Sequence, residues 1–561
     1  MTHGTPGWYG RLRSAGGERL SGDEARRANL RAGRALAGTL RTTLGPRGCD
    51  KLLVGSDGVV VVTNDGASIL DRMEIDHPAA SLLLDVASQQ ADQVGDGTTS
   101  AVLLAGALLG EAESLFERGL HPTTVGEGYW RACDLALDRL PELTVETDGG
   151  DRERLVDVVR TAVTGKWTDR EATHLAELAA DAVLAVGEGD RVDRDRIVLH
   201  AVPGGSPTDT ELVDGLVVDM AESSTTATDR ADDLPRRLTD ARVALVDTPL
   251  DVPTTRTTRS VAVESVDGLE ALTTYETDQR DRRAAALLDA GADVVFCQQA
   301  VDEDLAGRLA AGGVFVAERT RQDELYKLAR ATGARLVATT ADLTPTDLGR
   351  AGVVERRTVG DRDLTVVRGN AATEQVSVLL RGGTDHVVEE TRRVLEDCLT
   401  VAVLAYRGDG LLPGGGATEA ALAAHLRESA RGLGGREALA VEAAATALEV
   451  VPRTLAENAG VPVVDALTDL RAHHAQGRST VGIGAATGEA TEMVAEGVLE
   501  PLAVKRRALA CATEGATLLL RIDDVVAASA GGGGHGEEGH DHGHSHEHDH
   551  GHGGYPWALG H

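Results

Sequence analysis

The sequence has 561 residues, which is too many for one ordinary hydrophobic core and predicts roughly two to four domains. Its 89 acidic and 56 basic residues give a formal net charge of −33, which excludes nucleic acid and anionic membrane surfaces as partners. No apolar run approaches about 18 residues, and the beginning of the chain lacks a signal-peptide segment. We therefore expect a cytoplasmic protein without a membrane span.

The chain is poor in lysine and in aromatic residues, and it contains three phenylalanines. This composition, together with the acidic charge, favours a cytoplasm of high salt, where like charges are screened over a few ångströms. Arginine can replace lysine wherever only a surface charge is needed, so each surviving lysine is a candidate for a specific role. These residues are Lys51, Lys166, Lys327 and Lys505, of which Lys327 is equally well explained by chance.

The first predicted element is a helix over 21–44, where Ser21 and Glu24 have the spacing of a capping box. Short apolar segments at 52–54 and 59–62 flank a turn and predict a β-hairpin. The second strand of this hairpin runs into Asn-Asp-Gly, a turn that carries a carboxylate.

A glycine-rich turn, Gly95-Asp96-Gly97, separates a helix predicted from Pro78 from the helix that begins Thr98-Thr99-Ser100. The glycines allow close backbone approach, and the free N–H groups at the start of the second helix favour an anion. A carboxylate beside a phosphate needs a cation between them, so Asp96 predicts a Mg²⁺ ion shared with a nucleotide. The alternative is an ordinary helix start in which a threonine is the cap.

A second glycine turn, Pro413–Gly416, leads into an alanine-rich helix about three hundred residues after the first turn. A nucleotide site is normally built by one domain, so the intervening chain is predicted to be an insertion. Within it, helical runs at 151–186 and 384–404 flank a core of about 217–370. That core is predicted to be an α/β module without a dinucleotide motif, with strands at 293–297, 314–316 and 335–338 and helices at 302–311 and 321–332.

The end of the chain divides into an apolar part and a histidine-rich part. A helix at 508–517 and a strand at 518–522 are predicted before the tail. Residues 531–561 hold nine of the 18 histidines and too few apolar residues to fold. These histidines either chelate Zn²⁺, Ni²⁺ or Cu²⁺ or belong to an unused solvated tail.

Several motifs in order resemble the group II chaperonins. They lie at 42–51, 63–67, 77–80, 95–100, 164–166, 381–384, 413–417 and 521–524, and the resemblance extends over about 20–529. It implies a multidomain fold of α/β and α type with a mostly helical equatorial ATP-binding domain at 1–146 and 406–529. It also implies a small intermediate domain at 147–216 and 371–405, and an α/β apical client-binding domain at 217–370. A helical protrusion belongs to the apical domain, at about 269–288, and a disordered His-rich tail follows at 530–561.

The resemblance also implies an ATP hydrolase, with ATP and Mg²⁺ as cofactors and K⁺ as a further candidate cation. In this family pattern Asp65 and Asp397 orient the attacking water, Asp96 holds Mg²⁺ and Lys166 reaches the γ-phosphate. The remaining nucleotide contacts are implied for Leu44, Gly45, Pro46, Asn64, Gly97, Thr98, Thr99, Ser100, Gly415, Gly484 and Glu500.

Each of these residues also has an ordinary structural interpretation. A carboxylate such as Asp397 on an amphipathic helix usually marks the solvated face, and Asp65 lies in a common turn sequence. Gly415 could end a loop, and Glu500 could be a surface residue. Gly484 departs from the family, which usually has an acidic or amide residue near the adenine edge.

The implied function is an ATP-driven folding chamber, a homo- or hetero-oligomeric double ring that binds and encloses unfolded polypeptides. One alternative is a structural subunit of a hetero-oligomer that hydrolyses ATP poorly, although Asp65, Asp96 and Asp397 are all present. Another is a metal-binding protein whose functional part is the His-rich tail.

Overall fold

The computed structural model describes residues 20–55, 60–73, 75, 77–145, 150–219, 235–251, 266–360, 362–369, 375–484 and 487–525. Residues 21–523 make up one structural unit. A second unit, 1–20 and 524–561, is described only at Leu20 and Asp524–Val525. The His-rich tail predicted at 530–561 lies outside the described residues.

Helices and short strands alternate along the described chain. The α-helices are Asp23–Arg41, Gly66–Arg72, Pro78–Val94, Thr98–Glu117, Pro122–Arg139, Arg152–Ala162, Asp169–Val186, Val266–Ala290, Glu303–Ala311, Gln322–Thr332, Asp385–Tyr406, Ala417–Gly432, Gly435–Leu448, Val450–Ala459, Val463–Ala475 and Leu502–Leu520. Short 3₁₀ helices are Leu140–Leu143, Arg194–Arg196, Pro207–Asp209 and Thr340–Asp342. The strands are Leu20–Ser21, Lys51–Val54, Val60–Thr63, Gly187–Glu188, Arg191–Val192, Ile197–Pro203, Glu211–Asp214, Leu216–Asp219, Arg237–Val246, Val294–Cys297, Phe315–Ala317, Leu336–Val337, Gly349–Val359, Arg362–Gly369, Val376–Gly382, Leu411–Pro413, Val481–Ile483, Ala490–Glu492, Leu499–Pro501 and Asp524–Val525.

The largest set of buried side chains, which we term the helical core, joins helices from the first 143 residues to helices after residue 411. Thr98–Glu117 packs against both Asp23–Arg41 and Leu502–Leu520. This helix is long and apolar enough to cross a membrane by length and composition, but 56% of its apolar window is buried inside the protein. It is therefore a core helix, and it unites the two ends of the chain.

A second set of buried side chains, the linking core, lies between helices and a small sheet. Its strands run in the order Ile197–Pro203, Val376–Gly382 and Glu211–Asp214, with the first pair parallel and the second antiparallel. The helices Asp169–Val186 and Asp385–Tyr406 pack together against this sheet. The chain therefore passes through this small module twice, once before and once after the seven-stranded sheet described next.

A seven-stranded sheet forms the third part, which we term the sheet module. Six of its strands follow the order Phe315–Ala317, Val294–Cys297, Arg237–Val246, Gly349–Val359, Arg362–Gly369 and Leu216–Asp219, and Leu336–Val337 also pairs with Arg237–Val246. Arg237–Val246 pairs in parallel with Val294–Cys297 and with Leu336–Val337, and Val294–Cys297 pairs in parallel with Phe315–Ala317. The pairs that involve Gly349–Val359 or Arg362–Gly369 are antiparallel. Buried residues cover both faces, as expected for strands connected by helices.

The mixed helical and α/β fold class predicted from the sequence is confirmed. The predicted hairpin forms from Lys51–Val54 and Val60–Thr63, paired antiparallel. In the sheet module the predicted strands and helices all occur within a few residues of their expected limits, and Gly333 ends its helix with a φ of 72°.

Two local predictions are wrong. The capping box at Ser21 does not form, because Ser21 belongs to a short strand and Gly22 is the N-cap residue without a side-chain cap. The segment 518–522 is not a strand, since residues 518–520 continue the helix Leu502–Leu520. Leu519 and Leu520 are buried there, so an apolar run alone did not distinguish a strand from the end of a buried helix.

Gly106 allows helices Asp23–Arg41 and Thr98–Glu117 to approach closely, because a Cβ at this position would overlap the Cβ of Ala37. Gly110, one turn later, has its nearest neighbour at 3.6 Å, on the flexible side chain of Arg34. We expect Gly106→Ala to lower the free energy of unfolding by about 1–3 kcal/mol through overpacking. Gly110→Ala should instead raise it by about 0.5–1 kcal/mol through helix propensity.

Urea unfolding of both variants at molar KCl measures this difference. Equal effects of the two substitutions would contradict the close helix crossing described here.

Candidate active site

A cavity of about 500 Å³ is lined by residues from the helical core and from the segments next to the linking core. This volume is in the range of small-molecule sites. All the site residues expected from the sequence line it, namely Leu44, Gly45, Pro46, Asn64, Asp65, Asp96, Gly97, Thr98, Thr99, Ser100, Lys166, Asp397, Gly415, Gly484 and Glu500. The chain therefore brings together residues that are more than 450 positions apart in sequence.

The glycine turn adopts a backbone that side chains resist. Gly95 ends the helix Pro78–Val94 with a φ of 67°, and Gly97 is the N-cap of Thr98–Glu117 with a φ of 80°. No side chain caps this second helix, so the alternative in which a threonine is the cap is wrong. The start of the helix is thus available to an anion in the cavity.

Buried Gln90 fixes the turn from behind. Its Nε2 donates to the carbonyl oxygen of Asp96 at 2.9 Å and to that of Val504 at 3.3 Å. A Cβ on Gly97 would lie 2.9 Å from the same nitrogen, so the amide reaches the turn only beside glycine. Gln90 thereby ties the turn to the helix Leu502–Leu520.

Asp65, Lys166, Asp397 and Arg393 form a cluster of charged side chains, and the first three of them line the cavity. Asp65 is the N-cap of Gly66–Arg72, and its Oδ2 accepts from the backbone N–H of Ser68 at 2.8 Å. Lys166 Nζ lies 2.9 Å from Asp65 Oδ1 and 4.0 Å from Asp397 Oδ2. Arg393 Nη1 donates to Asp65 Oδ2 at 2.8 Å. Both carboxylate oxygens of Asp65 therefore have a cationic partner.

Burial and neighbouring charges separate the two aspartates of this cluster. Burial alone would raise the pKa of Asp65, but Lys166 and Arg393 lower it well below its usual range. Burial raises the pKa of Asp397 to about 7, with Asp65 adding to this effect and Lys166 opposing it. Near neutral pH, Asp65 is therefore ionised, whereas the raised pKa of Asp397 favours its protonated form more than in an ordinary aspartate.

Lys505, Glu419 and Glu500 form a second charged cluster. The buried ammonium of Lys505 forms ion pairs with Glu419 and with Glu500, the latter at 2.8 Å. Burial raises the pKa of Glu500 to about 7, against the attraction of Lys505. Burial also raises the pKa of Asp96, and Lys166 and Lys505 oppose that shift. Removing one partner of such a buried cluster leaves an uncompensated charge.

Known proteins are similar in sequence to this chain over most of its length. It matches the model of the TCP-1/cpn60 chaperonin family over residues 36–530. A thermosome subunit of Methanopyrus kandleri is 44% identical over 517 residues, covering 91% of this chain and 94% of the relative. Thermosome subunits 1 and 3 of Haloferax volcanii are 43% and 44% identical, each over 91% of this chain and over 90% and 97% of their own lengths. The chain belongs to the TCP-1/cpn60 chaperonin family.

This membership confirms the resemblance found in the sequence. The chain is a subunit of an ATP-dependent double-ring chaperonin that acts in protein folding. Relatives from Haloferax volcanii and Halobacterium salinarum, the latter 42% identical, also support the high-salt interpretation of the acidic composition.

Glycines, threonines and Met493 form another part of the cavity lining. Gly415, with a φ of 60°, is so close to Met493 that a Cβ would overlap the sulfur. Gly484 faces Thr491, and the hydroxyl residues Thr487 and Thr491 line the cavity beside it. Two threonines therefore lie beside Gly484, the position at which the sequence was expected to lack the acidic or amide side chain of the family pattern.

Sequence reasoning missed two charged residues of the site. Lys505 belongs to the small set of lysines singled out above, but its partner Glu419 is 86 positions away in sequence. Arg393 precedes Asp397 by four residues and thus shares its helix face, which is the signal that could have found it. Its partner Asp65 is 328 positions away in sequence.

We expect Lys505→Met to lower the free energy of unfolding by about 3–5 kcal/mol, because Glu419 and Glu500 lose their buried counter-charge. The folded-state pKa of Glu500 already lies above the ordinary 4.5, so its ionisation destabilises the fold as pH rises toward 7. Without Lys505 this pKa rises further, and the deficit should be larger at pH 8 than at pH 6.

Lys51→Met is the control, since Lys51 Nζ donates to the hydroxyl of Thr42 at 2.7 Å and forms no ion pair with a residue that the structure describes. Urea unfolding at both pH values compares the variants. A deficit for Lys505→Met that equals the control's and does not depend on pH would contradict the buried cluster.

Proposed function

We propose that the cavity binds ATP and hydrolyses its terminal phosphoanhydride bond, and that this reaction drives the folding cycle. The observation that carries the proposal is the convergence of an uncapped helix start, three aspartates and Lys166 on one cavity. A structural subunit that hydrolyses ATP poorly would not need Asp65 and Asp397 held beside one lysine.

The lining residues would divide into groups that contact different parts of the nucleotide. Gly45 and Pro46, together with Gly97 and the helix start after it, would hold the phosphates through backbone N–H groups and hydroxyls. Gly415, beside Met493, and Gly484, beside Thr491, would back the base. The carboxylate of Glu500 would accept the ribose hydroxyls.

Asp96 would hold Mg²⁺. Its carboxylate lines the cavity, and burial raises its pKa, which means that its ionised form is short of compensating positive charge. Within the described residues no group of three or more His, Cys, Asp or Glu forms a metal site. Mg²⁺ at nucleotide sites commonly uses one or two carboxylates with phosphate oxygens and water, which fits one aspartate. When bound, the ion would neutralise charge on the phosphates; K⁺ stays a prediction from the sequence.

Asp397 and Asp65 would orient the water that attacks the terminal phosphate. With its pKa raised to about 7, Asp397 is a better proton acceptor near neutral pH than an ordinary aspartate. Asp65 stays ionised and would fix the water's second hydrogen. Lys166 can leave its ion pair with Asp65 for the more highly charged phosphate.

The three-domain division also belongs to this proposal. The helical core, the linking core and the sheet module would be the equatorial, intermediate and apical domains expected at 1–146 and 406–529, 147–216 and 371–405, and 217–370. Lys166, between Arg152–Ala162 and Asp169–Val186, would report nucleotide state to the linking core. Unfolded polypeptides would bind the sheet module.

We further propose assembly with paralogous subunits in the cytoplasm. Separate thermosome subunits 1 and 3 from Haloferax volcanii, both similar to this chain, support the hetero-oligomeric form. Metal binding by the His-rich tail stays a prediction, since the tail lies outside the described residues.

The three aspartates should differ in their mutational effects. Asp96→Ala should weaken Mg·ATP binding as well as turnover, because it removes a metal ligand. Asp397→Ala should lower the single-turnover rate by about 10²–10⁴-fold with nucleotide affinity nearly unchanged, since water attack belongs to the transition state. Asp65→Ala should resemble it, and the double variant should be little worse than either single one.

Nucleotide binding and single-turnover ATP cleavage in concentrated KCl measure these effects. Asp92→Ala, an exposed aspartate on the helix Pro78–Val94, serves as the control. If Asp397→Ala cleaved ATP at the rate of that control, the catalytic assignment would be withdrawn.

A further inference from the structure

We propose that Arg393 is the positioning residue that holds Asp65 in place when Lys166 turns to the phosphates. The inference rests on the proposed function, in which Asp65 orients the attacking water. It assigns different roles to the two cations that contact Asp65: Lys166 is a mobile partner and Arg393 is a fixed one.

The two cations approach Asp65 from different sides. Lys166 lines the cavity and contacts Oδ1 at 2.9 Å, so an arriving phosphate competes directly for its ammonium group. Arg393 contacts Oδ2 at 2.8 Å and is not among the residues that line the cavity. A nucleotide in the cavity would therefore draw away one cation and leave the other.

The guanidinium of Arg393 is held in a fixed plane. Its Nη2 and Nε donate to the two carboxylate oxygens of Glu390, at 2.8 Å and 3.3 Å. This two-point contact leaves Nη1 directed at Asp65. A planar, bidentate arginine keeps its orientation better than a flexible ammonium, which suits a fixed support.

Asp65 gains a defined geometry from these contacts. Its Oδ2 is occupied by Arg393 and by the N–H of Ser68, so the departure of Lys166 would free only Oδ1. One oxygen of an ionised, anchored carboxylate would then face the water. Without Arg393, a buried carboxylate that had also lost Lys166 would have no cation beside it, at a considerable desolvation cost.

The contact between Arg393 and Asp65 also fixes the distance between Asp65 and Asp397. Arg393 and Asp397 lie four residues apart on the helix Asp385–Tyr406, hence on one face and one turn apart. Arg393 anchors that turn to Asp65, which caps a helix in the helical core. A displacement of about 1 Å between groups that share one water can cost about 10²-fold in rate.

Arg392, the residue before Arg393, provides a matched control. Arg392 pairs through the same spacing with Glu389 at 2.5 Å and also with Glu396, on the exposed side of the helix. Arg392→Met and Glu389→Gln therefore remove a comparable surface ion pair that does not involve Asp65. They should leave ATP cleavage unchanged, as expected for exposed pairs.

Arg393→Met should lower the single-turnover rate of ATP cleavage by about 10- to 10²-fold, while the dissociation constant for Mg·ATP changes less than about threefold. Arg393→Lys should recover part of the rate, because a cation again meets Oδ2. Glu390→Gln, which keeps both Arg393 and Asp65 but frees the guanidinium plane, should give an intermediate loss. The assembled full-length chaperonin is used throughout, in concentrated KCl.

A double variant separates this inference from the proposed function. If Arg393 acts through Asp65, Arg393→Met should have no further effect in an Asp65→Ala background. Parental rates for both Asp65→Ala and Asp397→Ala would overturn the proposed function itself. A slow Asp65→Ala variant beside an Arg393→Met variant as fast as Arg392→Met would overturn only the role of Arg393. Should Arg393→Met fail to assemble, Glu390→Gln against Glu389→Gln decides, and equal rates for that pair would contradict the proposal.

Discussion

The structure depends on charge balance in a cavity that is partly closed to water. Asp65, Asp96 and Asp397 face it together with Lys166, and the ion pair between Lys166 and Asp65 joins the helical core to the turn beside the linking core. Such charges are tolerated only because each cation has a carboxylate partner. In the proposed function a polyanionic nucleotide would rearrange these pairs, so ATP binding would change the contacts between two parts of the fold.

The path of the chain makes this arrangement available. The helix Thr98–Glu117 begins at the cavity and packs against helices from both ends of the unit, so the early and late glycine turns are fixed to one core. Gln90 supports the turn from the buried side. Among the described residues of the linking core and the sheet module, those that line the cavity lie within 160–166 and at Asp397. In the proposed cycle these are the places where hydrolysis would be communicated.

How much the sequence predicts depends on how local the cause is. Turns containing Gly97 or Gly415 are dictated by positive φ values, so their sequence pattern was sufficient to locate both parts of the cavity. The strands and helices of the sheet module follow from hydrophobic periodicity in the same way. Residues 518–520 were assigned to the wrong class because a buried helix end and a buried strand have the same apolar pattern. The ion pairs of Arg393 with Asp65 and of Lys505 with Glu419 depend on tertiary contacts that no local pattern specifies.

In the proposed reaction, ATP is cleaved between Asp96 and the Asp65–Asp397 pair. A structure of the assembled chaperonin with ADP, Mg²⁺ and aluminium fluoride tests it most directly. We predict the metal on Asp96, the fluoride group at the start of Thr98–Glu117, and a water held by Asp65 and Asp397 after Lys166 has left Asp65. A nucleotide bound without a metal contact to Asp96, or a water that touches neither of the other two aspartates, would contradict the account.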